Sequence, residues 1–170
     1  MDFIKVFVEI ERGSNLKYEY NKETQTLELD RVLPESFVYP YAYGFVPYTL
    51  ANDGDELDVL LISDSTEIKS NTFDYGYIIG ALIMEDEKGM DEKLLMVPAT
   101  DYLESPIENI FDMDRAVLNQ LEWFFSNYKT GQEGKWSKVY GIFGKHDALQ
   151  LYAKYCAQYK QQNVDNNKYC

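Results

Sequence analysis

Asp53, Asp55 and Asp58 fall within six positions of one another in DGDELDV, beside the turn residue Gly54. Carboxylates this close repel by about 1 to 4 kcal/mol per pair at about 4 Å, depending on the local dielectric. The segment therefore needs positive charge. Oxygen ligands without Cys or His select hard cations such as Mg2+, Mn2+ or Ca2+. A solvated acidic loop is the competing reading of these residues taken alone. An EF-hand is excluded, because counting from Asp53 puts Leu57, Asp58 and Asp64 where that loop needs an oxygen ligand, Gly and Glu. An aspartyl-nucleophile phosphatase carries its DxD after an apolar strand, whereas here VLLI follows the motif, which weakens that alternative.

A second acidic run, EDEKGMDEK at 85–93, places Asp86 and Asp91 across a Lys-Gly turn, with Lys93 opening an apolar stretch. Alone it is an ordinary hairpin loop. Five aspartates from two loops can hold more than one metal, and neighbouring divalent ions can bridge an attacking water and a phosphoryl oxygen. Lys and Arg directed at such a centre make sense only if the substrate is itself a polyanion. Arg31 is the first such candidate: in a strand-like run it shares a face with Leu27 and Leu29, and an inward guanidinium requires anionic partners.

Other chemistry finds no support. The chain has neither a GxxxxGK[ST] nor a GxGxxG nucleotide cradle. Its single histidine, His146, excludes a zinc site of several His, and it reads as a solvent-facing residue opening the last helix. Cys156 falls in an apolar helix stripe. Tyr39, Tyr41, Tyr43 and Tyr48 are packing residues, with one phenol in reach of a phosphate.

The elements that must position these residues follow from periodicity. Ile4–Glu11 alternates, with Val6, Val8 and Ile10 on one face and Lys5, Phe7, Glu9 and Glu11 on the other, which predicts a strand. Lys17–Tyr20 and Thr26–Val32 predict a hairpin across the polar stretch Asn21–Gln25. Further strands are expected in VYPYAYGFVPYT (38–49, interrupted by Pro and Gly), DVLLIS, Tyr75–Met84 and Lys93–Val97. The last third reads as helical. Asp112 and Asp114 are N-cap candidates for a helix with Val117, Leu121, Phe124, Phe125 and Tyr128 on one face, ended by Gly131. A strand over Lys135–Phe143 precedes a second helix whose stripe is Leu149, Tyr152, Ala153, Cys156 and Tyr159. The expected fold class is α+β: a small closed or strongly curved, mostly antiparallel β-barrel, OB-like, with two C-terminal helices packed on it. One domain is expected over 1–162, followed by a polar tail at 163–170.

With 170 residues, 45% hydrophobic, the chain has enough apolar side chain for one core. A formal charge of −13 makes nucleic acid and anionic membrane surfaces poor partners. The start, MDFIKVFVEIE, does not read as a signal peptide, and the longest apolar stretch is half of a membrane span. Two cysteines, Cys156 and Cys170, suit a reducing compartment. The expected location is the cytoplasm.

Taken together, the segments resemble family I soluble inorganic pyrophosphatase. DGDELDV matches that family's DxDxxD signature, with Glu rather than the usual Pro at position 56. FVEIERGSNLKYEYNKETQTLELDR resembles its first three strands, YPYAYGFVPYT its YPxxYG segment, DEKGMDEK its second metal loop and FFSNYKTGQEGKW its helix end with a Tyr-Lys pair. The resemblance runs from Phe7 to about Lys160. It implies Asp53, Asp58 and Asp91 as ligands of metals around an attacking water, and Asp86 and Asp91 toward metals carried in with the substrate. Asp55 would bind and orient that water and act as general base, and Glu9 and Glu19 would bind metals through water. Lys17, Arg31, Lys93, Tyr128 and Lys129 are the implied pyrophosphate contacts, with the Tyr43 hydroxyl near the phosphate. The implied reaction is hydrolysis of pyrophosphate to two orthophosphates by direct attack of the activated water, without a covalent intermediate. The implied cofactor is Mg2+, several per subunit, with Mn2+ as substitute. A homo-oligomer is implied, with a hexamer favoured, although the long helix has none of the histidines that some members place between trimers. The alternatives are a metal-dependent hydrolase of another phosphate ester or anhydride, and a non-catalytic β-barrel module with structural Ca2+. Lys17, Arg31, Lys93 and Lys129 argue against the last, because a calcium module gains nothing from cations at its metal site.

Overall fold

Five strands close a ring, and the reason lies in one long strand that changes partners along its length. The computed structural model describes residues 2–164. In chain order its elements are β1 (Ile4–Ile10), β2 (Leu16–Asn21), β3 (Thr26–Val32), β4 (Ala42–Val46), β5 (Leu57–Leu61), β6 (Thr72–Asp86), β7 (Gly89–Met90) and β8 (Lys93–Pro98). They are followed by α1 (Ala99–Glu104), a 3-10 turn (Ile110–Asp112), α2 (Arg115–Asn127), β9 (Ser137–Gly144) and α3 (Lys145–Gln162). The ring runs β1-β4-β5-β8-β6 and closes through β1–β6 pairing, with β9 added outside on β6. Strand β6 pairs with β1 over its first residues and passes to β8 at Gly76, which faces Ile4 on one edge and Pro98 on the other. A Cβ at Gly76 would stand 2.8 Å from Met96 Sδ and 2.9 Å from Leu61 Cδ2, so a larger residue at the crossing would make those side chains shift. At the β1–β4 seam a Cβ on Gly44 would lie 1.8 Å from the Phe7 carbonyl oxygen, a paired backbone atom that cannot move aside, which fixes glycine there.

Strands β5 and β8 are apolar on both faces because both faces are covered. Leu60 and Leu95 join the core that packs on α2, while Val59, Leu61, Leu94 and Met96 join the core that packs on Ala148 and Tyr155 of α3. The α+β barrel expected from the sequence is the fold observed, and among the described residues no helix is long and apolar enough to cross a membrane.

Several local expectations are corrected. In β1 the register against β4 shifts between Val8 and Ile10, so Ile10 leaves the face of Val6 and Val8 and enters the other core. A β-bulge inserts one residue and reverses the alternation beyond it. In the β2–β3 hairpin the register shifts after Lys17, which faces Arg31, while Tyr18 faces Leu29. Asp30 is the extra residue, and Leu29 is 51% exposed rather than inward, because this two-stranded sheet stands apart from the barrel. Helix α2 ends at Asn127, before Gly131, whose φ of +84° belongs to the turn that follows. Asp114 caps α2 by accepting from Ala116 N–H at 3.1 Å, whereas Asp112 serves the preceding 3-10 turn. The buried face of α3 is Ala148, Tyr155 and Cys156, with Leu149 exposed and Ala153 outside it. The small Ala148 side chain brings the helix close, and Tyr155 anchors it by donating to Glu92 at 2.8 Å. Helix α1 went unforeseen, being six residues long without a side-chain cap. The expected polar tail lies largely outside the described residues, as does Cys170.

Candidate active site

The β5–β8 pair is parallel, with Asp58 opposite Lys93. Parallel strands begin at the same end, so the loops preceding them, DGDE and EKGMDE, lie side by side. That pairing is what joins the two acidic segments. Around them one cavity of about 740 Å³ is lined by all thirteen candidates: Glu9, Lys17, Glu19, Arg31, Tyr43, Asp53, Asp55, Asp58, Asp86, Asp91, Lys93, Tyr128 and Lys129. Glu9 sits at the β1 bulge, Lys17, Glu19 and Arg31 come from the hairpin, Tyr43 from β4, and Tyr128 and Lys129 from the end of α2. Bulges beside sites re-aim a side chain, and this one turns Glu9 into the cavity.

Lys93 is 1% exposed and donates to Tyr43 Oη at 2.9 Å, Asp58 Oδ2 at 3.0 Å and Asp91 Oδ1 at 3.1 Å. Burial opposes its charge, but Asp58 and Asp91 outweigh burial and hold the ammonium well above the usual lysine range. Tyr43 in turn donates to Asp58 at 2.6 Å, and burial together with Asp58 raises its pKa, so the phenol keeps its proton. Lys129 donates to Asp86 at 2.8 Å and to Glu87 at 3.1 Å. Burial would raise Asp86, but the Lys129 bond and the Lys88 N–H outweigh it and hold that carboxyl below its usual range. Lys17 rests on Asp30 at 3.0 Å, and Asp53 accepts the Asp55 N–H at 3.0 Å, which shapes the loop.

Three acids lie in the opposite direction. Burial raises Asp53 and Asp91, and it lifts Glu9 to about 8, although Glu9 accepts the Tyr20 N–H at 2.8 Å. Among the described residues no three carboxylates converge on one point, because Lys93 separates Asp58 from Asp91 and Lys129 lies between Asp86 and Glu87. The donor set nonetheless fits a hard divalent cation: it is all carboxylate oxygen, and burial presses three of its members toward their neutral forms, an effect that a bound cation would oppose. Asp58, Asp91, Asp53 and Glu9 are the residues that would hold such ions.

One consequence is measurable without metal. Between the ordinary value of 4.5 and about 8, folded Glu9 carries a proton that the unfolded chain has released, so stability falls as pH rises through that window. Glu9→Gln is therefore expected to gain stability over the native chain at pH 8 and not at pH 4. Urea midpoints in EDTA at both values check this, and an equal gain at both would refute it.

Four participants escaped the sequence reading. Asp30 and Glu87 each hold a cavity lysine, Gln132 accepts a hydrogen bond from Arg31, and Lys135 lines the rim. Glu87 was visible as the neighbour of Asp86, whereas nothing in the sequence links Gln132 to Arg31 across 101 positions.

The fold is a closed OB-like barrel whose parallel β5–β8 pair brings carboxylates and cations to one cavity. A family model described as Inorganic pyrophosphatase matches residues 6–160. The inorganic pyrophosphatase of Saccharolobus solfataricus is 40% identical over 162 residues, 94% of each chain. That of Helicobacter pylori strain J99 is 40% identical over 161 residues, 94% of this chain and 92% of the relative. A solved inorganic pyrophosphatase from Helicobacter pylori superposes with a TM-score of 0.89 at 39% identity, covering 94% of both chains. The one from Thermus thermophilus gives 0.88 at 39% identity, covering 93% of this chain and 91% of that one. The chain belongs to the inorganic pyrophosphatase family.

Proposed function

We propose that this chain is an inorganic diphosphatase: it hydrolyses pyrophosphate to two orthophosphates by direct attack of water on phosphorus, with no covalent intermediate. Family membership supports the reading, and one observation carries it. The seven candidate acids and the four candidate cations, Lys17, Arg31, Lys93 and Lys129, line the same cavity, within a lining of twelve acids and seven basic residues among the described residues. Acids alone would serve a cation, and bases alone an anion. Both together suit an anion that arrives with its metals.

The proposed cofactor is Mg2+, several ions per chain, with Mn2+ as substitute. Bound there, divalent ions would supply Lewis acidity, making water more acidic and offsetting charge on phosphoryl oxygens. The other parts come from the chain. Asp55, exposed on its loop, takes the proton from the attacking water. Lys17, Arg31, Lys93 and Lys129 bind phosphoryl oxygens and stabilise the departing phosphate as its charge grows. The Tyr128 phenol, kept protonated by burial, donates to the same oxygens, and the Tyr43 hydroxyl, whose proton goes to Asp58, stands near them.

The catalytic unit is residues 1–162. Nucleic acid and membrane are not partners of a surface with a net charge of −13. A cytoplasmic location agrees with the free, buried Cys156 thiol. A homo-oligomer, with a hexamer favoured, is supported by the exposed face of α2, where Trp123 stacks on Phe37 at 5.5 Å.

Phosphate release from pyrophosphate, with Mg2+ and with EDTA, tests the reading. Release is expected only with Mg2+, and faster than from a phosphate monoester. No release with Mg2+ present rejects it.

A further inference from the structure

Three of the four cations proposed to meet phosphate rest on carboxylates: Lys17 on Asp30, Lys93 on Asp58 and Asp91, and Lys129 on Asp86 and Glu87. Arg31 forms no ion pair among the described residues. Its Nη1 donates to the amide oxygen of Gln132, while Nε and Nη2 are shielded from water and have no hydrogen-bond partner among those residues. A guanidinium only donates, so the end of Gln132 that meets it is the carbonyl, and the rest of that amide is itself a donor. One neutral acceptor thus fixes the side chain without neutralising it. Gln132 is well placed for this, since its N–H bonds the carbonyl of Lys129 at 3.2 Å and its carbonyl accepts from Lys135 N–H at 3.2 Å. The turn that presents Tyr128 and Lys129 therefore also carries the holder of Arg31.

We infer that Gln132 is a positioning residue for pyrophosphate binding: it anchors Arg31 by one nitrogen and leaves that cation's charge, alone among the four, to be met by a phosphoryl group. The inference rests on the proposed function. A carboxylate at 132 has the same reach but engages a guanidinium through two oxygens with full charge assistance, in competition with the substrate. Buried donors without acceptors are costly, so their capture by such a carboxylate also stabilises the empty protein.

Gln132→Glu is expected to raise KM for pyrophosphate about tenfold, a loss typical of one charge-assisted hydrogen bond, with kcat changed less than about threefold. Without divalent ions its Tm is expected to rise by about 2 to 4 °C. Both effects are expected to vanish in the Arg31→Met background, where Gln132→Glu has no guanidinium to engage. A purely structural role would shift Tm without the KM change and without dependence on Arg31. If the native chain releases phosphate and Gln132→Glu leaves KM within about twofold, this inference alone falls. The same holds if the KM rise persists with Met at 31. If the native chain releases none with Mg2+, the functional reading falls and this one with it.

Discussion

Asp55→Asn is expected to cut turnover of pyrophosphate by about 10²- to 10⁴-fold, the range for removing a general base, while leaving the fold intact. The two halves of that expectation have separate causes. Asp55 is exposed, and among the described residues its carboxylate accepts no hydrogen bond. The loop is shaped instead by backbone groups, with Ala51 N–H donating to the Asp55 carbonyl and Asp55 N–H donating to Asp53. Asparagine preserves both of those bonds and the size of the side chain. It cannot accept a proton from water near neutral pH. Turnover should therefore fall while the unfolding free energy from urea titration stays within about 0.5 kcal/mol of native, as for surface substitutions away from structural features. Asp53→Asn is the informative contrast, because Asp53 caps the loop and that change touches structure as well. Near-native turnover of Asp55→Asn would sink the general-base assignment.

The sequence made some of this site readable and hid the rest for definable reasons. Acid spacing in DGDELDV and EDEKGMDEK survives any fold that places two loops together, so Asp53, Asp55, Asp58, Asp86 and Asp91 were legible from type and spacing. What places the loops together, the parallel β5–β8 pairing, is non-local and leaves no local signature. Strand existence was legible from alternation, but strand faces were not. One bulge residue in β1 moved Ile10 to the other core, Leu29 faces outward in a hairpin outside the barrel sheet, and the bulges coincide with Glu9 and Asp30 beside the cavity. Helix faces suffered similarly. Leu149 and Ala148 are adjacent in sequence, and the choice of the small one as the contact comes from how closely α3 approaches the barrel, which hydropathy does not encode. Gln132 is the extreme case, since its role depends on a turn after α2 meeting a hairpin from the first third of the chain.

Lys93→Met gives the second large effect, and its sign depends on metal. In the protein without divalent ions the Lys93 ammonium is the shared partner of Asp58 and Asp91, enclosed between the Tyr43 and Phe125 rings at 5.1 and 5.3 Å. Methionine fills most of the stem's volume but leaves two partly buried carboxylates and a phenol oxygen without their donor. Removing one member of a buried ion pair costs about 3 to 5 kcal/mol, and the lower end applies here because Asp58 retains some exposure. At about 2 to 4 °C per kcal/mol for a chain of this size, Tm in EDTA should fall by roughly 6 to 12 °C. Asp58 and Asp91 are then left short of positive charge, which is what a divalent cation supplies. Ions that bind the folded state stabilise it by mass action, so added Mg2+ should recover more stability in Lys93→Met than it adds to the native chain. Turnover should not recover with it, because the lost ammonium is also the proposed donor to the departing phosphate and a cation bound between carboxylates does not replace a directed N–H. Equal Mg2+ shifts in the two proteins would mean that Asp58 and Asp91 do not bind the ion. A variant both stabilised and fully active in Mg2+ would instead remove Lys93 from the set of phosphate contacts.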